Sequence, residues 1–497
     1  MFARFPSAGL ESSVSGPDQP AGRPPLRPCV RAVWRLVACA AFVVQLGSLA
    51  AADVDLRVGR AQVRITPPVG SVIGNSYGVS IAKGVTSDLH AKAVVFESGG
   101  VTAAIVACDL ISLHRPIVER TRALLAQRTG LAPDRVILAA THCHGGPQTH
   151  PLFLETVGGE ARRLSESYVE ALPGMIAESV RLAEADLQPA RLFFGKGHED
   201  ALTYNRRFLM RDGSVIKSSP TNAGAVRSVG PIDPDVGVIY IEGVRGQPLV
   251  TVVNFAAHVG GGGFGMVAAH YPHYLAEVLA RVKGEAMLTV FFNGMSGNVN
   301  PNNNTFPGSV VRALHGDASA AGMGSVLAGE VIKAYPHLKS LGPGKLQVRS
   351  QSVRVPVAPA PSPAELEKAR ATVLRHGKGA GFNDVILAWR ALDLAAYGKD
   401  GLWDSEVQAI TFGRELAFIG YPGDSFVELG LAMKQNSPFA LTLVSEQAGN
   451  GSLSYIPNAK AFPEGSYEVI SARVVPGGGE VLVDAAVRLL TEMFHRK

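Results

Sequence analysis

From residue 56 onward the chain alternates short apolar runs with longer amphipathic stretches. Residues 56–65, 91–97 and 103–109 read as strands, and residues 116–128 follow as a helix. Residues 136–140 are apolar throughout, the pattern of a buried strand. The alternation then continues to the C-terminus. Helices are expected over 165–185, 273–282, 316–334, 363–374 and 481–494, and strands over 238–241, 249–255, 288–292, 407–412, 416–419 and 441–444. Interleaving of this kind predicts an α/β fold with mixed β-sheets flanked by helices, in one large domain. The only linker-like stretch, 356–361, is rich in Pro and Ala and reads as a surface loop.

The first 52 residues follow a different rule. A basic, Pro-rich segment over 23–35 leads into an apolar run over 36–52, interrupted only by Gln45, Gly47 and Ser48 and ending in Ala50, Ala51 and Ala52 before Asp53. That is the layout of a secretory signal peptide. The expected division is therefore a signal over 1–52 and the mature domain over 53–497, placed in the periplasm or outside the cell. An uncleaved anchor is the alternative, although the run is short for a bilayer span. Membrane contact beyond that is expected to be peripheral at most.

Composition narrows the class. Hydrophobic residues make up 46% and charged residues 18%, as in a globular protein. The net charge is +5, of which Arg4, Arg23, Arg27, Arg31 and Arg35 against Glu11 and Asp18 supply +3 in the leader. The remainder, about +2, contains no basic run and gives no warrant for nucleic-acid binding. Two of the four cysteines, Cys29 and Cys39, lie in the leader. Cys108 and Cys143 cannot make a disulfide framework and read as small buried hydrophobes.

Chemistry concentrates where strands end. The strand over 136–140 runs into Thr141, His142, Cys143, His144, Gly145, Gly146 and Pro147. Alternate residues of an extended segment share a face, which sets His142 and His144 side by side. A metal would also hold the two imidazoles neutral and remove their repulsion. Alone, His-x-His is a weak signal, compatible with surface histidines. The strand over 249–255 delivers His258, and the strand over 416–419 delivers Asp424 through Gly420, Tyr421, Pro422 and Gly423. Two His and a carboxylate from three strand ends compose a catalytic zinc site with a position open for water. Taken singly, Asp424 reads more readily as the N-cap of a helix over 425–433. The glycine run 260–265 lacks the spacing of a phosphate loop and is expected to be a loop beside the site.

These segments, with Ile65-Thr66-Pro67-Pro68, Asn205-Arg206, Gly297 to Asn302 and the stretch from Asn450 to Glu468, succeed one another as in the neutral/alkaline non-lysosomal ceramidases. The chain resembles that family over nearly all of its length after the leader. The family's Ala-Thr-His-Thr-His-Ser-Gly-Pro block is matched by Ala140 to Pro147. The resemblance implies Zn2+ on His142, His258, Asp424 and Tyr455, with Asp424 one methylene shorter than the family's glutamate. It implies catalytic roles for His144 and Tyr467, and substrate contact for Asn205 and Arg206.

Two departures stand out. Asn300 occupies the place of a serine to which the family assigns a catalytic role, which leaves Asn300 to hydrogen-bond substrate or the tetrahedral intermediate. Only 29 residues follow Glu468, enough for one helix and too few for the family's C-terminal immunoglobulin-like domain. A zinc-activated water needs no serine, so the implied reaction is hydrolysis of an N-acyl amide in a ceramide-like lipid or small molecule. The alternatives are a hydrolase of a non-lipid amide or ester, and a non-catalytic relative that binds zinc or a ligand.

Overall fold

Strands that are apolar on both faces must be covered on both faces, and that requirement sets the architecture. The computed structural model describes residues 55–75, 78–260, 265–301, 317–342, 344–375 and 379–496. The leader, the start of the helix expected from 316 and most of the 260–265 glycine run lie outside them. The larger sheet contains β1 (Arg57–Arg64), β2 (His90–Ser98), β3 (Val101–Cys108), β4 (Val136–Ala140), β5 (Gln188–His198), β6 (Asp235–Gly243), β7 (Pro248–Phe255) and β8 (Leu288–Asn293). Their order is β8-β7-β6-β5-β1-β2-β3-β4. Two pairs, β3 with β4 and β7 with β8, are parallel; the rest are antiparallel. A smaller sheet runs β9 (Leu346–Pro356), β10 (Leu402–Phe412), β11 (Leu416–Gly420) and β12 (Leu441–Ser445), with β11 and β12 parallel.

The two sheets pack face to face between helices. Val94, Phe96, Ile105 and Ile137 of the larger sheet share a core with Ile410, Phe412 and Phe418 of the smaller. Phe96 meets Phe412 and Phe292 meets Phe418 with ring centroids 5.1 and 4.8 Å apart. The alternate residues Ala93, Val95, Val106 and Leu138 point the other way. They meet α1 (Arg115–Thr129), α2 (Gly159–Ala185), α3 (Tyr271–Lys283) and α4 (Asp317–Ala334) through Val118, Leu172, Leu275 and Leu327. The period-2 alternation of each strand thus feeds two cores at once. Helices α5 (Pro363–Leu374) and α6 (Phe382–Tyr397) form a satellite cluster with Phe153 and Leu154. On the far face of the smaller sheet lie α7 (Val427–Asn436) and α8 (Gly478–His495), which bury Met433 and Leu489. No helix among the described residues is long and apolar enough to cross a membrane.

The expected mixed α/β class is what the chain adopts, and most expected elements appear within a few residues of their bounds. Three elements had no clear pattern. β5 carries Gly195 and Gly197, β9 is polar at most positions, and α6 was passed over although its composition favours a helix. α2 begins at Gly159, six residues before the expected start, and contains Pro173. Asp424 is not a helix cap: α7 starts at Val427 with Phe426 in the capping position, and Asp424 instead pairs with Tyr455 in a short parallel ladder. Cys108 and Cys143 are free and buried, as their apolar surroundings implied.

The contact between β1 and the end of α2 leaves no room for a side chain. A Cβ on Gly59 would drive into the carbonyl oxygen of Ala183 and lie 2.8 Å from the Leu187 nitrogen. Both obstacles are backbone, so Gly59→Ala is expected to lower stability by about 2–3 kcal/mol, the usual cost of overpacking. Urea unfolding reads this as a lower midpoint at unchanged slope; an unchanged midpoint would show that the helix can withdraw.

Candidate metal centre and its cavity

Parallel strand pairs end on the same side, and their carboxyl ends are where α/β sheets collect ligand groups. β4 delivers His142 and His144, β7 delivers His258, β11 delivers Asp424 and β12 delivers Glu446. The chain turns sharply at the first exit, where His142 takes φ of 61°. Such a conformation costs a non-glycine residue of order 1–3 kcal/mol and persists only where the surroundings enforce it. Here the ring is held: its Nδ1 lies 3.0 Å from the Ile111 carbonyl oxygen. His258 Nδ1 lies 2.8 Å from the Ser296 carbonyl and 3.1 Å from that of Val299. Carbonyls only accept, so the His258 ring carries its proton on Nδ1 and offers Nε2 as the acceptor, while His142 Nδ1 lies between the Ile111 carbonyl and the Gln447 amide nitrogen, 3.2 Å away.

The Nε2 atoms of both rings face a carboxylate. Asp424 Oδ2 is 3.4 Å from His142 Nε2 and 3.7 Å from His258 Nε2, and His144 Nε2 is 3.3 Å from His142 Nε2. Tetrahedral zinc with bonds of about 2.0–2.2 Å sets its ligand atoms roughly 3.3–3.6 Å apart, so these spacings suit it. The ligand atoms of His142, His144 and His258 all lie within 4.8 Å of one another. The other Asp424 oxygen, Oδ1, is buried without a hydrogen-bond partner, as expected of a group awaiting a cation. Burial, with neighbouring positive and imidazole groups, pushes the His144 and His258 pKa values well below the usual range and keeps both rings neutral. The donor set therefore fits a zinc-type ion.

Arg206 lies behind this cluster and is 1% exposed. Its Nε donates to Glu468 (2.8 Å), its Nη1 to His258 Nε2 (3.0 Å) and Asn300 Oδ1 (2.9 Å), and its Nη2 to the Gly297 carbonyl (2.7 Å) and the Tyr455 hydroxyl (2.9 Å). All five N–H donors are thus spent within the protein. Burial works against the charge, but Tyr455, Glu468 and Asp424 outweigh it and raise the pKa further. Two of the four expected ligand groups, His258 Nε2 and the Tyr455 hydroxyl, accept from Arg206 in this arrangement. Asn300 turns its oxygen to the same guanidinium. The adjacent Asn205 hydrogen-bonds the Pro231 carbonyl at 2.9 Å.

A cavity of about 160 Å3 opens onto the cluster. Of the nine residues singled out from the sequence, His142, His144, Asp424, Tyr455 and Tyr467 line it, whereas His258, Asn205, Arg206 and Asn300 do not. Tyr467 meets Tyr455 edge to face at 5.3 Å and carries Lys217 Nζ 4.5 Å over its ring. Gly145 lets the backbone pass His270, whose Nε2 would be 2.8 Å from a Cβ there.

Glu446 was missed in the sequence. Its carboxylate is fully buried beneath Asp424 and accepts from Asn293 Nδ2, Ser296 Oγ, Ser296 N and Ser425 N at 2.7–3.1 Å. Burial and the Asp424 charge push its pKa well up. The signal was present, because Glu446 directly follows an apolar strand as His258 and Asp424 nearly do. Ser296 is also fully buried, with its hydroxyl committed to Glu446, and faces no substrate.

No family model matches the chain. Over 278 residues, 52% of its length, it is 26% identical to the neutral ceramidase of Pseudomonas aeruginosa, and this match spans 38% of that protein. The crystal structure of the Pseudomonas aeruginosa neutral ceramidase superposes with a TM-score of 0.67 at 20% identity, covering 88% of this chain and 75% of that one. A ceramidase complexed with C2 gives 0.66 at 19% identity, with 88% and 76% covered. The chain is a homologue of neutral ceramidase and carries its fold.

Proposed function

We propose that the protein is a zinc-dependent hydrolase that cleaves an N-acyl amide, in a ceramide-like lipid or a smaller molecule. One observation carries the reading: two imidazoles, anchored at Nδ1 by backbone carbonyls, turn their Nε2 atoms toward a buried carboxylate whose second oxygen has no partner, at the end of a cavity. Kinship to neutral ceramidase supports the amide. His142, His258, Asp424 and Tyr455 would hold the zinc, which when bound would lower the pKa of water and polarise the acyl carbonyl.

The protein's own groups do the rest. His144 is neutral and half-buried at the cavity wall, so its ring can take a proton from the attacking water and return it to the leaving nitrogen. Tyr467, on the same wall, donates its phenol hydrogen to the oxygen that becomes negative. Arg206 acts from behind as a positioning residue: donating to the Tyr455 oxygen and to Asn300, it fixes both without meeting substrate. Asn300 supplies the acceptor that Arg206 requires, and this accounts for an amide at that position.

The test is turnover of an N-acyl amide panel by variants. His144→Ala and Tyr467→Phe should each lower kcat/KM by about 10²-fold or more, and Ser296→Ala should retain most activity because no side-chain nucleophile is used. An acyl-enzyme trapped during turnover and located by mass spectrometry on any side chain would sink the mechanism.

We also propose that residues 1–52 direct export and are removed. N-terminal sequencing of the secreted product should start near Asp53; full-length chain found only in the cytoplasm contradicts this.

A further inference from the structure

The cavity has a second wall, which the metal centre does not use. His150 Nε2 lies 3.1 Å from Asp393 Oδ1, and the other oxygen of Asp393 lies 2.5 Å from Arg473 Nη2. Trp389, on α6, stacks on Phe153 at 5.6 Å and meets the His150 ring edge-on at 5.0 Å. His114 stands against His150 with ring centroids 4.7 Å apart. All six residues line the cavity, and the hydrolytic mechanism gives a role to none of them.

This wall offers polarity without net charge. Burial would raise the Asp393 pKa, but Arg473 and His150 outweigh it and hold the carboxylate ionised below its usual range. Arg473 is therefore matched by Asp393, and it also donates to Ser454 Oγ at 2.9 Å and to the Ser471 carbonyl. Burial, aided by His150, pushes His114 down to about 3, so its ring is neutral. An anionic group would find no uncommitted cation here, and a cationic group no uncommitted anion.

Two polar atoms on this wall are left over. Asp393 faces His150 Nε2, and His150 Nδ1, which is an acceptor in the Nε2–H ring, is buried with no partner in the protein. Trp389 Nε1–H is a donor in the same condition. A hydroxyl both donates and accepts and can satisfy the pair, whereas an alkyl chain leaves both unmet. Aromatic faces among fixed hydrogen-bonding groups also suit a compact polar ligand.

We infer that the wall formed by His114, His150, Trp389 and Asp393 is a recognition subsite for a neutral, hydroxyl-rich group of the substrate, a polyol or sugar-like moiety bearing the acylated nitrogen. The inference rests on the hydrolase reading of the same cavity for the bond that lies beside the subsite. It selects hydroxylated N-acyl compounds over those whose nitrogen carries a plain alkyl chain.

Binding can be read without turnover, because Trp389 and Trp403 both line the cavity and Trp34 is the only other tryptophan. Intrinsic fluorescence of the full chain would be titrated with N-acetylglucosamine and with N-hexylacetamide, two acetamides that differ in hydroxylation. The first should bind at least tenfold more tightly, and the ratio of the two affinities should fall toward one in His150→Leu and in Trp389→Phe, the latter followed through Trp403. Each ratio is taken within one protein, so partial loss of folded material cancels. Equal affinities, a preference for the alkyl amide, saturation by neither, or a ratio unchanged in both variants overturns the subsite. Hydrolysis of p-nitroacetanilide, measured alongside, separates the two readings. No turnover with the preference intact removes the hydrolase and leaves the subsite, and turnover without preference removes the subsite alone.

Discussion

A guanidinium buried from solvent must find five acceptors in the protein, and at Arg206 those acceptors come from separate parts of the chain. Glu468 reaches it from the C-terminal region, Tyr455 from the segment paired with Asp424, His258 from the exit of β7, and Gly297 and Asn300 from the loop after β8. Glu468 also takes Arg207 at 3.1 Å, so one carboxylate clamps two adjacent arginines. Removing a partner from such a group costs about 3–5 kcal/mol, because the charge remains buried. The segments that carry the candidate ligands are therefore fixed by a demand that arises behind the site, before any substrate or metal arrives.

The sandwich makes that convergence possible. Each sheet contributes parallel pairs whose carboxyl ends open at the same place, β3 with β4 and β7 with β8 in the larger sheet, β11 with β12 in the smaller. Packing the sheets face to face through Phe292 and Phe418 brings those exits together. Glu446 then links the two sheets beneath the centre, holding the Ser296 loop of one and the Ser425 turn of the other. Helix α6 adds Trp389 and Asp393 to the cavity's second wall.

Much of this was legible in the sequence, for a physical reason. Strands buried on both faces are continuous apolar runs, and a His or Asp at the end of such a run is conspicuous, so His142, His258 and Asp424 stood out before their neighbours were known. The direction of a side chain was not legible. Arg206 and Asn300 read as substrate-facing from order along the chain, yet both face inward, because only three-dimensional packing shows that the guanidinium is enclosed. Strands such as β9, polar along one face, carried too little apolar signal to be read. The wall of His150, Trp389, Asp393 and Arg473 is assembled across more than 300 residues and had no local pattern at all.

The account stands on a zinc ion bound where the strand exits meet. Metal analysis of the purified protein, after equilibration with zinc and removal of excess, tests this most directly. One equivalent per chain is predicted for the native sequence, with loss of most of it in Asp424→Ala and in His142→Ala. A native protein that retains no zinc, or an Asp424→Ala variant that retains a full equivalent, would contradict it.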